Sequence, residues 1–445
     1  MPTPLALRTF FDCGIVDRLR AEFGAGLTLC FAREWPGRED WLERAGNMRV
    51  LLEEDIFPYG VPLAQRIARK GDIWLDRKVG LFPLGLRHSL HHGFNVERMQ
   101  PGHKIPYLDL DRLGPLPRWG FLDPIMMRWH YGRLRYVSTS LLGALRKECP
   151  LLVLGNTQTF QSTPFVLAAK RLGLPVVGYI ASWDHAVGKG IVPPHLDRYL
   201  VQNEIMRDDL SRYHGIPPER VDVTGWPTSD VYHRRHSRGE YEALLHRLGV
   251  DAAKPVVFVV GNVFHNAPYE HVFLERLAAW ASLPENSVRF SLLLRPHPHD
   301  KEWRTRYAGA LDRGVAAQEA TYTDLDDLTV LLQHVSCVVA HAGTVLLDAI
   351  ANDRPSVCVL YDEGAPEGEH RAEQNVTGKH YEALLDSGCF YPARSFEQVV
   401  DGLERALSDP AEQHDERVRA TERVLGRIDG RAAERVTAAV LRTVR

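Results

Sequence analysis

The sequence predicts an α/β protein made of two doubly wound domains that face each other across a cleft. Three observations carry that expectation. The chain has 445 residues, more than one hydrophobic core usually organises. From about residue 150 onward, short apolar runs alternate with amphipathic segments, the pattern of parallel βαβ units. That rhythm breaks in a polar, arginine-rich stretch between about residues 232 and 254 and then restarts.

In the first domain, strands are expected over residues 151–154, 176–180, 198–201 and 221–224, with helices over 164–172 and 205–213. In the second, strands are expected over 256–260, 291–294, 337–340 and 356–360, with helices over 271–281 and 346–352. The resulting partition is an acceptor-side domain over residues 1–235, a linker over 236–254 containing a short helix at 240–248, and a nucleotide-donor domain over 255–410. Residues 411–445 read as C-terminal helices, for which packing back on the first domain is one placement. Residues 30–150 are less legible, with strand candidates at 50–52 and 73–75. The aromatic and basic run 125–136 reads first as a packed helix and second as a segment lying on a membrane surface.

Composition narrows the function classes. Hydrophobic residues make up 44% and charged residues 25%, ordinary globular values. With 54 basic against 57 acidic residues the net charge is -3, so no global field attracts nucleic acid or an anionic membrane, and any phosphate site must be local. The six cysteines form no C-x-x-C pair and read as reduced structural residues. No basic segment precedes a long apolar run and no stretch of about 18 apolar residues occurs. The expected location is therefore the cytoplasm, with peripheral attachment to the inner face of the membrane as a variant.

Candidate site residues fall at the ends of the expected strands, where open parallel sheets bind ligands. His341-Ala342-Gly343-Thr344 joins a strand to a helix and offers backbone N–H groups and a hydroxyl to a phosphate; an ordinary cap by Thr344 would explain the same residues. Arg295-Pro296-His297 can supply a guanidinium fork and a directional imidazole on a proline-stiffened loop, or can be a rigid surface turn. Gly261, Asn262 and His265 follow the first strand of the second domain and could contact a diphosphate. Asp184 and His185 are adjacent titratable groups and either could deprotonate a hydroxyl; the alternative is that Asp184 caps a turn and His185 is solvated. Asn156, Thr157, Trp183 and Lys189 would contact the acceptor or line the cleft, and Lys189, between Gly188 and Gly190, could instead reach a phosphate or the opposite domain. No convincing Asp-x-Asp stands at a strand end, and the acidic turns at Asp109-Leu110-Asp111 and Asp324-Leu325-Asp326 read as solvated, so no metal is expected.

Taken together, these residues resemble the GT-B superfamily, and within it the bacterial CDP-glycerol glycerophosphotransferases and related surface-polysaccharide glycosyltransferases. The resemblance spans about residues 150–410. Ser182-Trp183-Asp184-His185 through Lys189-Gly190 is similar to the family loop that contains Trp-His-Gly and a downstream lysine. It implies that His185 is the base, with Asp184 the alternative should the one-residue difference in register matter. Leu293-Leu294-Arg295-Pro296-His297 resembles the strand whose arginine and histidine hold the donor phosphates. Gly343 and Thr344 stand where paired serines are usual. The chain departs from the family after residues 256–260, where Gly-Asn-Val-Phe-His replaces a Thr-Trp/Phe-Arg element.

The resemblance implies two Rossmann-like domains and an inverting, metal-independent, cofactor-free transferase. The enzyme would move a sugar or polyol phosphate from a UDP-, CDP-, GDP- or dTDP-linked donor to a hydroxyl of a cell-surface glycan or lipid-linked precursor. No nucleic acid is expected as a partner. A UDP-sugar 2-epimerase and a non-catalytic nucleotide-sugar-binding protein are the competing readings.

Overall fold

The computed structural model describes residues 4–31, 38–56, 137, 139–148, 151–157, 162–188, 192–193, 196–264, 266–321, 324–369, 371–376 and 379–444. Described residues up to Thr228, joined by Arg431–Val444, form one compact unit, and the described residues of Ser229–Gly430 form a second.

The first unit holds a four-stranded parallel sheet in the order β3-β4-β5-β6, from β3 (Leu152–Leu154), β4 (Val176–Tyr179), β5 (Arg198–Val201) and β6 (Val221–Val223). Before it come β1 (Thr28–Phe31) and β2 (Arg49–Leu52), which pair in parallel with each other. Helices Pro4–Asp12, Ile15–Phe23 and Ala432–Val444 send Leu7, Phe10, Ile15, Val436 and Val440 into one cluster with Val177, Tyr179 and Leu200 of the sheet. The last helix is thus part of the first unit, where Arg435 Nε donates to the Thr224 carbonyl at 2.7 Å.

In the second unit six parallel strands lie in the order β12-β11-β10-β7-β8-β9. They are β7 (Val256–Val260), β8 (Ser291–Arg295), β9 (Ala316–Ala317), β10 (Cys337–His341), β11 (Ser356–Val359) and β12 (Tyr391–Ala393). Their nearly continuous apolar runs follow from burial on both faces. Along β7, Val257 and Val259 point to one cluster with helices Glu270–Ala281 and Phe396–Ser408. Val256 and Phe258 point to the other, with helices Arg238–Arg247 and Leu325–His334.

The strand order runs outward in both directions from β7 and β10, the Rossmann arrangement, and ligands of such sheets bind where the order reverses, beyond the carboxyl ends of those two strands. The expected α/β class with two Rossmann-like, parallel-sheet domains is what the chain adopts. The strand candidate at 73–75, the run 125–136 and the Asp109-Leu110-Asp111 turn lie outside the described residues. No described helix is long and apolar enough to cross a membrane. The described cysteines are free thiols; burial pushes those of Cys337 and Cys358 up to about 12.

Candidate active site

The loops that leave β7 and β10 meet at the reversal point and are fastened to each other. Asn262 Nδ2 donates to the Ala342 carbonyl at 2.7 Å, so one amide crosses from the first loop to the second. Its Oδ1 accepts from the Val263 N–H at 2.8 Å and from Asn266 Nδ2 at 3.3 Å. Gly261 lets this happen: a Cβ there would stand 2.9 Å from the Tyr307 hydroxyl and 3.3 Å from Pro296 Cα, while its N–H donates to the Arg295 carbonyl at 2.8 Å.

Beneath these loops lies Glu270, a carboxylate with 2% exposure. It accepts from the Asn262 N–H at 3.0 and 3.2 Å, from the Tyr307 hydroxyl at 2.5 Å and from His341 Nδ1 at 3.1 Å, with Arg306 Nη2 at 3.5 Å. Burial pushes its pKa up, but the His341 hydrogen bond and the charges of His341 and Arg306 outweigh that, and the carboxyl is held below its ordinary value. The Tyr307 hydroxyl is driven well upward by burial and by that same carboxylate, so it stays a donor. Arg306 also donates to Asp300 at 2.9 Å and to the Ala267 carbonyl at 2.5 Å. Sequence reasoning missed Glu270, Arg306 and Tyr307. Glu270 opens an apolar helix, where an acidic residue looks like an ordinary complement to the helix dipole, and only burial shows otherwise.

The candidate donor-contact residues divide into two groups. His341 is 2% exposed, turns Nδ1 to Glu270 and lies edge-on to Phe273 at 5.6 Å, so its polar edge faces the interior. Arg295 is 5% exposed and its fork is already closed: Nη1 and Nη2 each donate to Asp324 at 2.8 Å, and Nη1 to Gln318 at 2.7 Å. Asp324 is therefore an ion-pair partner of a buried arginine, correcting its reading as a solvated turn; a guanidinium removed from water requires such a counter-charge. Asn262, with 9% exposure, is likewise engaged within the protein.

Gly343, Thr344 and His297 stand on the more open side. Thr344 is exposed and its side chain makes no capping hydrogen bond, which removes the plain helix-cap explanation. The helix that follows, Val345–Ala351, has seven residues, so anion binding at this turn would rest on the backbone N–H groups and the hydroxyl more than on a helix dipole. His297 Nδ1 accepts from the His299 N–H at 3.1 Å, which leaves the proton on Nε2 and makes that nitrogen a directional donor. His265 lies outside the described residues.

In the first unit the structure brings Asn156, Thr157, Trp183, Asp184 and His185 to the carboxyl ends of β3 and β4. Asn156 and Thr157 are buried, the Thr157 N–H donates to the Tyr179 carbonyl at 3.3 Å, and Ser162 Oγ donates to the Asn156 carbonyl at 2.5 Å. Trp183 is buried. Asp184 is half-buried and its carbonyl accepts from the Val187 N–H. His185, at the head of the one-turn helix His185–Gly188, is 8% exposed, so it is not the solvated histidine of the bland alternative. Lys189 lies outside the described residues. Among the described residues no group of three or more His, Cys, Asp and Glu side chains is placed to hold a metal ion.

The sequence profile of the CDP-Glycerol:Poly(glycerophosphate) glycerophosphotransferase family matches residues 167–442, more than half of the chain. The fold is similar to that of the UDP-GlcNAc 2-epimerase from Neisseria meningitidis, with a TM-score of 0.54, 11% identity and coverage of 99% of this chain and 98% of that one. A UDP-GlcNAc 2-epimerase from Methanocaldococcus jannaschii gives a TM-score of 0.45 at 13% identity, covering 71% of this chain and 82% of that one. The wall teichoic acid polymerase TagF gives 0.40 at 14% identity, covering 56% of this chain and 58% of the polymerase. No curated protein matches the sequence.

Proposed function

We propose a donor and a reaction for this chain from one premise: it belongs to the CDP-Glycerol:Poly(glycerophosphate) glycerophosphotransferase family and is a glycerophosphotransferase-like enzyme. The donor is CDP-glycerol or a close polyol analogue, held by the second unit, and the acceptor is a hydroxyl of a cell-surface polymer or lipid-linked precursor. The acceptor oxygen loses its proton to His185, with Asp184 as the alternative base, and attacks the phosphorus that bears the glycerol. A new P–O bond forms as the pyrophosphate linkage breaks in line, and CMP leaves with the negative charge.

Stabilising that departing phosphate is the larger part of the catalytic burden. We assign it to the Gly343 and Thr344 backbone and hydroxyl and to His297 Nε2. Asn262, His341, Glu270 and Arg295 shape the loops that present those groups. Asn156, Thr157, Trp183 and Lys189 are assigned to the acceptor side. The step inverts at the reacting centre and uses no metal, so activity should survive chelation. The enzyme works at the cytoplasmic face, meeting its acceptor as a peripheral protein and using no nucleic acid.

The observation that carries this reading is the reversal point of the six-stranded sheet, where two loops are locked together and leave the exposed Thr344 on the open side. A thermal-shift comparison of CDP-glycerol with UDP-, GDP- and dTDP-linked sugars tests the donor. Selective stabilisation by CDP-glycerol, diminished in Thr344→Val, is expected, and no stabilisation by any of these at millimolar concentration contradicts it. A sugar isomer formed from a nucleotide sugar without acceptor would favour an epimerase instead.

A further inference from the structure

We infer that His214 is a positioning residue for the first unit's site: its imidazole bonds both the Ala186 carbonyl and the Val192 N–H and so fixes where the adjacent His185 side chain stands. The inference rests on the reading of His185 as the base.

Helix His185–Gly188 is a single turn, too short to hold itself by its own hydrogen bonds. Two backbone bonds there, His185 N–H to the Ser182 carbonyl at 3.0 Å and Val187 N–H to the Asp184 carbonyl at 3.2 Å, run to neighbours in sequence. His214 ties it to a distant helix. One ring nitrogen, Nε2, lies 2.7 Å from the Ala186 carbonyl, and the other, Nδ1, lies 3.3 Å from the Val192 N–H. A carbonyl can only accept and an N–H can only donate, so the proton sits on Nε2 and Nδ1 accepts; the neutral ring satisfies both groups at once.

The mount of this ring is stiff. Helix Glu204–His214 begins with Asn203, whose side chain accepts from the Met206 N–H at 2.8 Å. It ends at Gly215 in the left-handed region with φ 64°, and the Ile216 N–H closes back on the Leu210 carbonyl at 3.2 Å. Met206, Leu210 and Ile216 are buried, as are Ala186 and Val192, the residues gripped by the ring. The ring therefore connects an anchored helix end to the residue directly after His185, and a shift there of even 1 Å would misplace the base by an amount that costs rate by about tenfold to a hundredfold.

Three variants separate positioning from mere structure. His214→Phe removes both contacts, His214→Gln keeps a donor near the Nε2 position, and His214→Asn keeps an acceptor near the Nδ1 position. Steady-state transfer from CDP-glycerol should show kcat lowered about tenfold or more in His214→Phe and by less in the other two. KM for the donor should stay within about twofold, because the donor is held by the other unit. Hydrogen–deuterium exchange over residues 184–193 should quicken several-fold in His214→Phe. A kcat within about twofold of wild type in His214→Phe overturns the inference, as does a donor KM that rises in step with the fall in kcat, or unchanged exchange. Should wild-type protein transfer nothing from CDP-glycerol, the reaction assigned above fails, and the exchange comparison alone then decides the clasp.

Discussion

Glu270 is a carboxylate from which water has been removed, and what replaces water is a ring of donors: a backbone N–H, a tyrosine hydroxyl, an imidazole and a guanidinium. Those donors come from the loop after β7, the end of β10 and the stretch Arg306-Tyr307, so one side chain organises three segments around the reversal point. Glu270→Gln turns an acceptor-only group toward donors, and should lower stability by about 3 kcal/mol in urea unfolding. Because the folded carboxyl is held below its ordinary value, its contribution is present above about pH 4.3 and is lost as pH falls through the folded value, so wild type should lose stability to acid more steeply than Glu270→Gln. Arg295 makes the contrasting case. The sequence presents it as a phosphate fork, but its terminal nitrogens are bound to Asp324 and Gln318. Arg295→Lys should thus cost stability, about 1–3 kcal/mol, rather than act on donor affinity alone, as paired unfolding and nucleotide-titration curves would show. Thr344→Val should do the opposite, weakening nucleotide binding with little change in melting temperature, since its hydroxyl caps nothing.

Strands are the elements that the sequence announces most clearly. Runs such as Val256–Val260 and Cys337–His341 are apolar throughout because both faces are covered, and the structure agrees to within a residue at either end. What stayed hidden were the short or uneven pieces: β9 has two residues, and β12 carries an exposed proline in its middle. Loop chemistry was half legible. The positions of Gly261, Asn262 and Gly343 at strand ends could be read directly, but which polar groups point inward depends on partners far along the chain, such as Asp324 for Arg295. At this scale Gly261→Ala should cost about 1–3 kcal/mol, because the new methyl meets the Tyr307 hydroxyl at 2.9 Å and backbone of the β8 loop, where little can yield. The clasp at the end of helix Glu204–His214 has its own acid signature. Burial pushes the His214 pKa down to about 4, against an opposing pull from the Ala186 carbonyl. A pKa depressed on folding gives stability that is complete above about pH 6.5 and lost as pH falls toward 4, so wild type should weaken over that window by about 2–3 kcal/mol more than His214→Phe.

Across the whole molecule, the chain is two Rossmann-like units with separate cores, the first completed by the helix Ala432–Val444 that follows the second in sequence. That closing helix is why removal of the last residues should expose the Leu7, Phe10 and Val177 cluster rather than trim a tail. The family could be read from motifs because a turn such as Gly343-Thr344 and a loop such as Trp183-Asp184-His185 occur at fixed places in the βαβ rhythm. The donor could not, because it is chosen by contacts that strand periodicity does not encode. The most direct test of the central claim is a transfer assay with CDP-glycerol and a poly(glycerophosphate) primer, with release of CMP and growth of the primer followed together, in wild type and in His185→Ala. The expected result is CMP and primer growth in equal amounts, persisting with a chelator present, with turnover falling about a hundredfold or more in His185→Ala while CDP-glycerol still binds. Release of a nucleoside diphosphate from a nucleotide sugar in place of CMP from CDP-glycerol, or full turnover by a correctly folded His185→Ala protein, would contradict the account.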